Sequence, residues 1–411
     1  AETTALWARP RQALALLPQA LRAPQPASVW YGLYDWALGT PYAATALAWT
    51  RGLFYVNRAA MLSPQSAHRL YAPRGAFRGS VTSFETYAAC PFRFFAQYGL
   101  RLVPPAEDGL TAADYGQYLH AGLQVFGERL LSSGCQWRDV DAEERQALAT
   151  EIAETIAPRV GQDTFAQDPF YGYMRTVLDR MFADTLTRLS TWSEHGQFDT
   201  VAVEKEFQLR AGRVEETEFF LRGVIDRLDR YRDPDTGQEY YLVIDYKTGN
   251  PQTTIGDIYY GLRLQLAIYL YVTLTAEPDA LPAGIMYVYV HDERADLAGA
   301  PQDAQEVRLK IAKELRSRGL FLADRDVLAQ VDDRLGTPWS FLALRVNKDG
   351  SFRKDDTVAT PATLRLMVEY VARLLPDMVE RILAGDVAIT PYRRGQDTAC
   401  EYCPYRRLCA F

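Results

Sequence analysis

The segment YYLVIDYKTG, residues 240–249, sets Asp245 and Lys247 two positions apart at the end of an otherwise apolar run. Side chains alternate along a strand, so Tyr241, Val243, Asp245 and Lys247 share one face. Upstream, RGVIDRLD carries Asp226 on the same side as Val224 and Leu228. An ionised acid on an apolar face is expensive unless it is paired or bound to a metal. If the two strands are neighbours, Asp226 and Asp245, 19 residues apart in sequence, converge. Two close carboxylates repel each other, which favours a hard divalent cation between them: magnesium, or manganese in its place. Such an ion lowers the pKa of a bound water and stabilises charge developing on a phosphodiester oxygen. A lysine beside it orients that water or neutralises the phosphate. The plainer alternative is two surface ion pairs, made with Lys247 and Arg227. The second acid and Gly249 just past the strand weigh against it.

Three further sites stand out. His120 lies one position off the apolar stripe Tyr115, Leu119, Leu123, Phe126 and Leu130 of a helical segment. Gly116 and Gly127 fall on its face and leave room for close approach to the imidazole. In LRLQLAIYLY, Gln265 is the odd polar residue of a buried helix, with Tyr269 one turn later. Near the end of the chain CEYCPYRRLC, residues 400–409, holds three cysteines in ten positions. Three thiolates at that spacing suit a metal, yet a closed tetrahedral site needs four.

The elements that must position these residues follow from periodicity. Residues 1–79 are rich in Ala, Trp, Tyr and Pro and read as helices with short breaks, such as Leu14–Leu21 and Tyr31–Leu38. In SVTSFETYAACPFRFF a helix follows, with N-cap chemistry from Ser83, Glu85 and Thr86. A second helix is expected over Ala112–Leu131, and a helix-rich stretch from there to Gly196. The pattern then turns to period two in VAVEKEFQL, EFFLRGVIDRLDRY and YYLVIDYKTG. An apolar helix at Leu262–Leu274 and the strand AGIMYVYV follow. Helix, three strands, helix, strand predicts an α/β sheet with helices packed on it.

With 411 residues, 48% hydrophobic and 24% charged, the chain has a globular composition. No apolar run is long enough for a membrane span, and no secretory signal is evident. The opening AETTALWARPRQALALL begins at Ala1 in mid-pattern, as a fragment or a processed chain would. A net charge of −7 argues against indiscriminate nucleic-acid binding, but not against a local basic groove. Basic pairs at Arg74 and Arg78, Arg393 and Arg394, and Arg406 and Arg407 supply candidates. Five cysteines without a secretory signal suggest a reducing cytosol, where clustered thiols bind metal. No G-x-x-x-x-G-K-[ST] occurs, so the chain is not itself a nucleotide-driven motor.

The order His120, Asp226, Asp245-Tyr246-Lys247, Gln265-x-x-x-Tyr269 resembles the RecB-like branch of the PD-(D/E)XK nucleases, over about Arg51–Phe411. The resemblance implies that His120, Asp226, Asp245 and the Tyr246 carbonyl bind the metal, that Lys247 serves catalysis, and that Gln265 and Tyr269 contact DNA. It implies a further acid at Glu204 in VAVEKEF, with Glu206 equally plausible. The cysteines resemble those of AddB-type subunits, with one before the nuclease core and C-x2-C-x5-C after it. Cys400, Cys403 and Cys409 form the trailing trio, and Cys90, 310 residues before Cys400, becomes the fourth. Four thiolates suit a [4Fe–4S] cluster or a structural zinc equally by count; the resemblance favours iron–sulfur. Cys135 is left over as a semi-buried thiol. Closing so long a loop costs roughly 5 kcal/mol, so the cluster would act as a clasp joining the two ends of the domain.

The expected organisation is a helical remnant of a helicase-like region at 1–79 and a nuclease domain at 80–411, a mixed sheet flanked by helices with helical insertions. The implied activity is Mg-dependent, exonuclease-type cleavage of single-stranded DNA in double-strand-break end resection and recombinational repair. The implied partners are DNA and an AddA-type helicase–nuclease subunit. A non-catalytic DNA-binding or scaffold module is the alternative, and the intact acids and lysine argue against it.

Overall fold

The computed structural model describes residues 10–54, 61–103, 109–160, 165, 168–249, 254–290, 303–353 and 357–409. The chain divides into two compact units: one comprises residues up to 59 and from 406 on, the other residues 60–405. In the first, the helices Pro10–Leu21, Ser28–Leu38 and Ala43–Arg51 bury Leu14, Leu17, Ala37 and Ala46 as a small core. The single turn Arg406–Cys409 belongs to the same unit.

The larger unit is a mixed sheet flanked by helices. Its strands are β1 (Ala76–Ser80), β2 (Asp199–Val214), β3 (Thr217–Arg232), β4 (Glu239–Lys247), β5 (Leu281–Tyr289), β6 (Arg318–Leu322) and β7 (Val358–Ala359). The three period-two segments form β2, β3 and β4, and AGIMYVYV contributes to β5, as expected. The short β1, β6 and β7 add to the same sheet. The order runs β2-β3-β4-β5-β6-β7, with β1 parallel to the first half of β3. β2, β3 and β4 are antiparallel neighbours, whereas β4 and β5 run parallel, joined by the helix Gln265–Ala276. That crossover is why an apolar helix lies between two strands buried on both faces.

The helix predicted at Ala112–Leu131 spans Ala112–Ser133 and ends at Gly134, whose φ of +71° suits a left-handed cap. Helices Ala142–Val160 and Pro169–Ser193 form the expected helix-rich stretch. The helix after β1 starts earlier than expected. Its N-cap is Ser80, which accepts from the Ser83 N–H while the Ser83 hydroxyl returns a bond to the Ser80 backbone, so Ser83 is the third helical residue. No helix among the described residues is long and apolar enough to cross a membrane.

Candidate active site

β3 is the element on which the site is built. One of its edges is paired with β2 almost throughout. Along the other edge β1 occupies Glu218–Arg222 and β4 occupies Arg227–Arg232, leaving residues 223–226 between them. Asp226 stands at the end of that gap, and Asp245 stands one step past the Arg227–Ile244 pair, so the two acids meet where β4 joins β3. The Tyr246 N–H donates to Asp226 Oδ2 at 3.0 Å. The convergence expected from the spacing is therefore present.

Glu204 enters from β2. The ladder pairs Val203 with Arg227 and Lys205 with Ile225, which puts Glu204 opposite Asp226. Its φ is +43° in the middle of a strand, a conformation that costs a non-glycine residue about 1–3 kcal/mol and is concentrated at functional sites. Glu206, the rival candidate, is exposed on β2. His120 completes the group from its helix. Its Nδ1 lies 3.4 Å from Asp226 Oδ2 and 3.9 Å from Glu204 Oε1, and its Nε2 lies 2.9 Å from the Tyr246 carbonyl oxygen. A carbonyl only accepts, so the proton sits on Nε2. Nδ1 then faces the carboxylates, as a lone pair when the ring is neutral.

Charge is costly here. Burial pushes the Asp226 carboxyl up to about 7; Asp245 adds to the rise, while His120 and the Tyr246 N–H oppose it. Asp245 is wholly buried and is raised by burial too, against the pull of Lys247, whose Nζ lies 2.5 Å from Oδ2. Apart from that contact, the Asp245 oxygens find no protein donor among the described residues. For His120 burial alone would lower the pKa, but Glu204, Asp226 and Asp245 together raise it. Ligand atoms of His120, Glu204 and Asp226 all lie within 4.8 Å of one another. Crowded, partly protonated carboxylates, buried oxygens without donors and an imidazole lone pair aimed at them fit a hard divalent cation. The donor set suits the metal expected from sequence.

Gln265 and Tyr269 are also brought together: Gln265 Nε2 donates to Tyr269 Oη at 3.0 Å, and the Tyr269 ring packs edge-on to Phe207 of β2. Burial, with Asp245 and Asp226 nearby, raises the Tyr269 pKa. Glu85 belongs to this arrangement as well, although its local sequence points elsewhere. Its Oε1 accepts from the Leu264 and Gln265 N–H groups at 2.7 and 3.1 Å, capping the first turn of that helix from 180 residues away. It does not cap its own helix, as the sequence suggests. Burial raises its pKa, opposed by those two N–H groups and by Arg263 and Lys247.

Two expectations need correction. Arg227 is no surface partner for the acids. It is buried on the other side of β3, bonded bidentately to Asp229 at 2.7 Å and stacked near Trp137 and Trp192. Gly127 does not make room for the imidazole either. A Cβ there would come within 2.6 Å of Val203 Cγ1, so this glycine lets the His120 helix lie close on β2, next to Glu204. Gly116 faces Thr248. Gly127→Ala should lower stability by about 1–3 kcal/mol through overpacking; an unchanged thermal melt would mean that the strand yields.

Within the larger unit, Cys90 follows the helix that contains Glu85, and the C-terminal segment is tied to it by Phe92 N–H to Ala388 O at 3.1 Å and Tyr392 N–H to Ala89 O at 2.9 Å. Burial raises the Cys90 pKa; the Arg93, Phe92 and Thr390 backbone lowers it, and Cys403 raises it further. Cys400 and Cys403 are joined by a turn, with Cys403 N–H donating to Cys400 O at 3.4 Å. Cys409 is buried in the other unit, its Sγ 3.4 Å from Arg406 O. Cys135 is half-buried, as expected.

Comparison with known proteins is consistent with this geometry. The profile of the PD-(D/E)XK nuclease superfamily matches residues 78–410. Relatives whose names make them subunits of an ATP-dependent helicase/deoxyribonuclease align along nearly the whole chain. The Moorella thermoacetica protein is 34% identical over 98% of this chain and 36% of its own length. That of Symbiobacterium thermophilum is 33% identical over 98% and 36%, and that of Desulforudis audaxviator 33% identical over 93% and 34%. The chain thus spans about a third of the length of the curated relatives it matches. A nuclease fold, converging acids with a lysine, and a match over most of its length agree: the chain belongs to the PD-(D/E)XK nuclease superfamily.

Proposed function

We propose that this chain is a metal-dependent deoxyribonuclease that cleaves single strands as part of a helicase–nuclease complex during double-strand-break end resection in the bacterial cytoplasm. The carrying observation is the meeting of His120, Glu204 and Asp226 within 4.8 Å beside the buried Asp245–Lys247 pair. His120 Nδ1, Asp226 and Asp245 would hold the cation, magnesium or manganese, with Glu204 as a further acid; the Tyr246 carbonyl, a ligand by the resemblance, bonds Nε2 on the far side of the ring and would orient the imidazole instead. When bound, the ion supplies Lewis acidity toward the scissile phosphate and a more acidic water.

The chain's own residues do the rest. The Tyr246 carbonyl fixes the imidazole tautomer, so that Nδ1 presents its lone pair. Lys247, partly exposed and held by Asp245, offers an ammonium to the attacked phosphate. Glu85 anchors the turn that presents Gln265, and Gln265 with Tyr269 positions the strand. Neighbouring subunits of the relatives' kind, an AddA-type helicase–nuclease among them, would deliver that strand. Cleavage of end-labelled single-stranded DNA, with and without Mg²⁺, tests the reading. A folded wild type that cuts neither alone nor with its motor partner supports a scaffold instead.

The electrostatics give a second test. The folded Asp226 pKa is raised, so between the ordinary carboxylate range and about 7 the folded state holds a proton that the unfolded state has lost. This group's contribution therefore falls as pH rises through that window. Metal-free wild type should lose melting temperature from pH 5 to pH 8 relative to Asp226→Asn, and Mg²⁺ should remove the difference. Parallel curves would count against the site.

Cys90, Cys400, Cys403 and Cys409 are proposed as ligands of a [4Fe–4S] cluster, with structural zinc as the alternative. The electrostatic influence of Cys403 on the Cys90 thiol supports the assignment.

A further inference from the structure

A cleft of about 440 Å³ lies beside β1, lined by Arg78, Arg101, Arg222, Gln97, Tyr71 and Tyr98, among others. No acid is among its lining residues, although the chain as a whole carries a charge of −7. Arg78, Arg101 and Arg222 are exposed, and among the described residues none of them forms an ion pair; Arg78 only lies over the Phe220 ring. Tyr71 is buried, and among the described residues its hydroxyl has no hydrogen-bond partner. Phosphate oxygens are the acceptors that such a set of unspent donors suits.

A second cleft of about 510 Å³ shares Arg222 and continues along Ser80, Gln208, Gly223 and Val224, with Glu206 as its one acid. Register fixes its direction. Ser80 pairs with Arg222 and Gln208 pairs with Arg222 from the other side, while Arg222, Val224 and Asp226 alternate onto one face of β3. Four residues of strand carry Arg222 to within about 13 Å of the Asp226 backbone. The two clefts therefore form a row leading into the gap at residues 223–226.

We propose that this row is the track on which a single-stranded nucleic acid lies, with Arg78, Arg101 and Arg222 binding successive phosphates and leading the strand to Asp226 and Asp245. The inference rests on the nuclease reading, but its test does not need cleavage. A fluorescein-labelled oligo(dT) is titrated by anisotropy in EDTA with the 411-residue chain, at several salt concentrations. Arg78→Ala with Arg222→Ala should weaken binding at least tenfold and make the slope of log K against log salt shallower by about 0.7 per arginine lost. Arg222→Lys should keep the slope, and Arg373→Ala, on the exposed face of the helix Pro361–Leu383, should change neither quantity. With Mg²⁺, the double variant should raise KM more than it lowers kcat. An unchanged affinity and slope in the double variant, an equal loss in Arg373→Ala, or no binding by the wild type at low salt overturns the track. Track failure with cleavage intact leaves the nuclease reading standing, and the reverse outcome leaves the track standing without it.

Discussion

Asp245→Asn should reduce cleavage about a thousandfold while raising the melting temperature of the metal-free protein at pH 8. Both effects have one cause. The carboxylate is wholly enclosed, burial disfavours its charge, and among the described residues its oxygens meet no protein donor apart from Lys247. The neutral isostere removes that penalty, and the Lys247 ammonium, about a quarter exposed, can be hydrated instead. Lys247→Ala should also abolish cleavage but with the opposite effect on stability, because it strands Asp245. The loss should stay below the roughly 3–5 kcal/mol of a fully buried pair. Two inactive variants that shift the melt in opposite directions would be hard to explain by a general disturbance of the fold. Retention of cleavage in Asp245→Asn would remove this carboxylate from the chemistry.

The second large effect is expected at Cys403. Cys403→Ala should remove bound metal and lower the melting temperature by several degrees, with the visible absorbance bleached if the cluster is iron–sulfur. Thiolate bonding would hold together segments 310 residues apart in sequence, against a closure entropy of roughly 5 kcal/mol. Metal analysis of anaerobic wild type separates iron from zinc. An unchanged melt and metal content would sink the clasp, whereas cleavage surviving at low temperature in the variant would place its role in the fold and not in the chemistry.

What can be read from sequence here is set by the range over which each signal acts. Asp226 and Asp245 are legible because alternation and a short connection force β3 and β4 to be neighbours. Glu204 cannot be separated from Glu206, since the choice depends on a left-handed residue inside β2 that no periodicity reveals. Glu85 reads as part of its own helix because capping is a local signal, yet its real partners lie 180 residues on. Gly127 does make space, but Val203 fills that space, and packing between distant elements has no local signature. β1, β6 and β7, at five residues or fewer, are too short to show a period.

The Arg227–Asp229 pair has a consequence for how the chain finds its alignment. One side of β3 carries Asp226 into the cleft, and the other carries Arg227 into a box closed by Trp137, Trp192 and Asp229. Adjacent residues thus have incompatible destinations. A shift of β3 by one position would drive the guanidinium toward the acids and strand a carboxylate against tryptophan. Arg227 and Asp229, two residues apart on the same strand, would move together in such a slip, and the cost would fall on the Asp226 carboxylate, buried beside tryptophan without a counter-ion. The box behind the strand thereby favours one register of the sheet, and Asp226 and Asp245 share the alignment it sets.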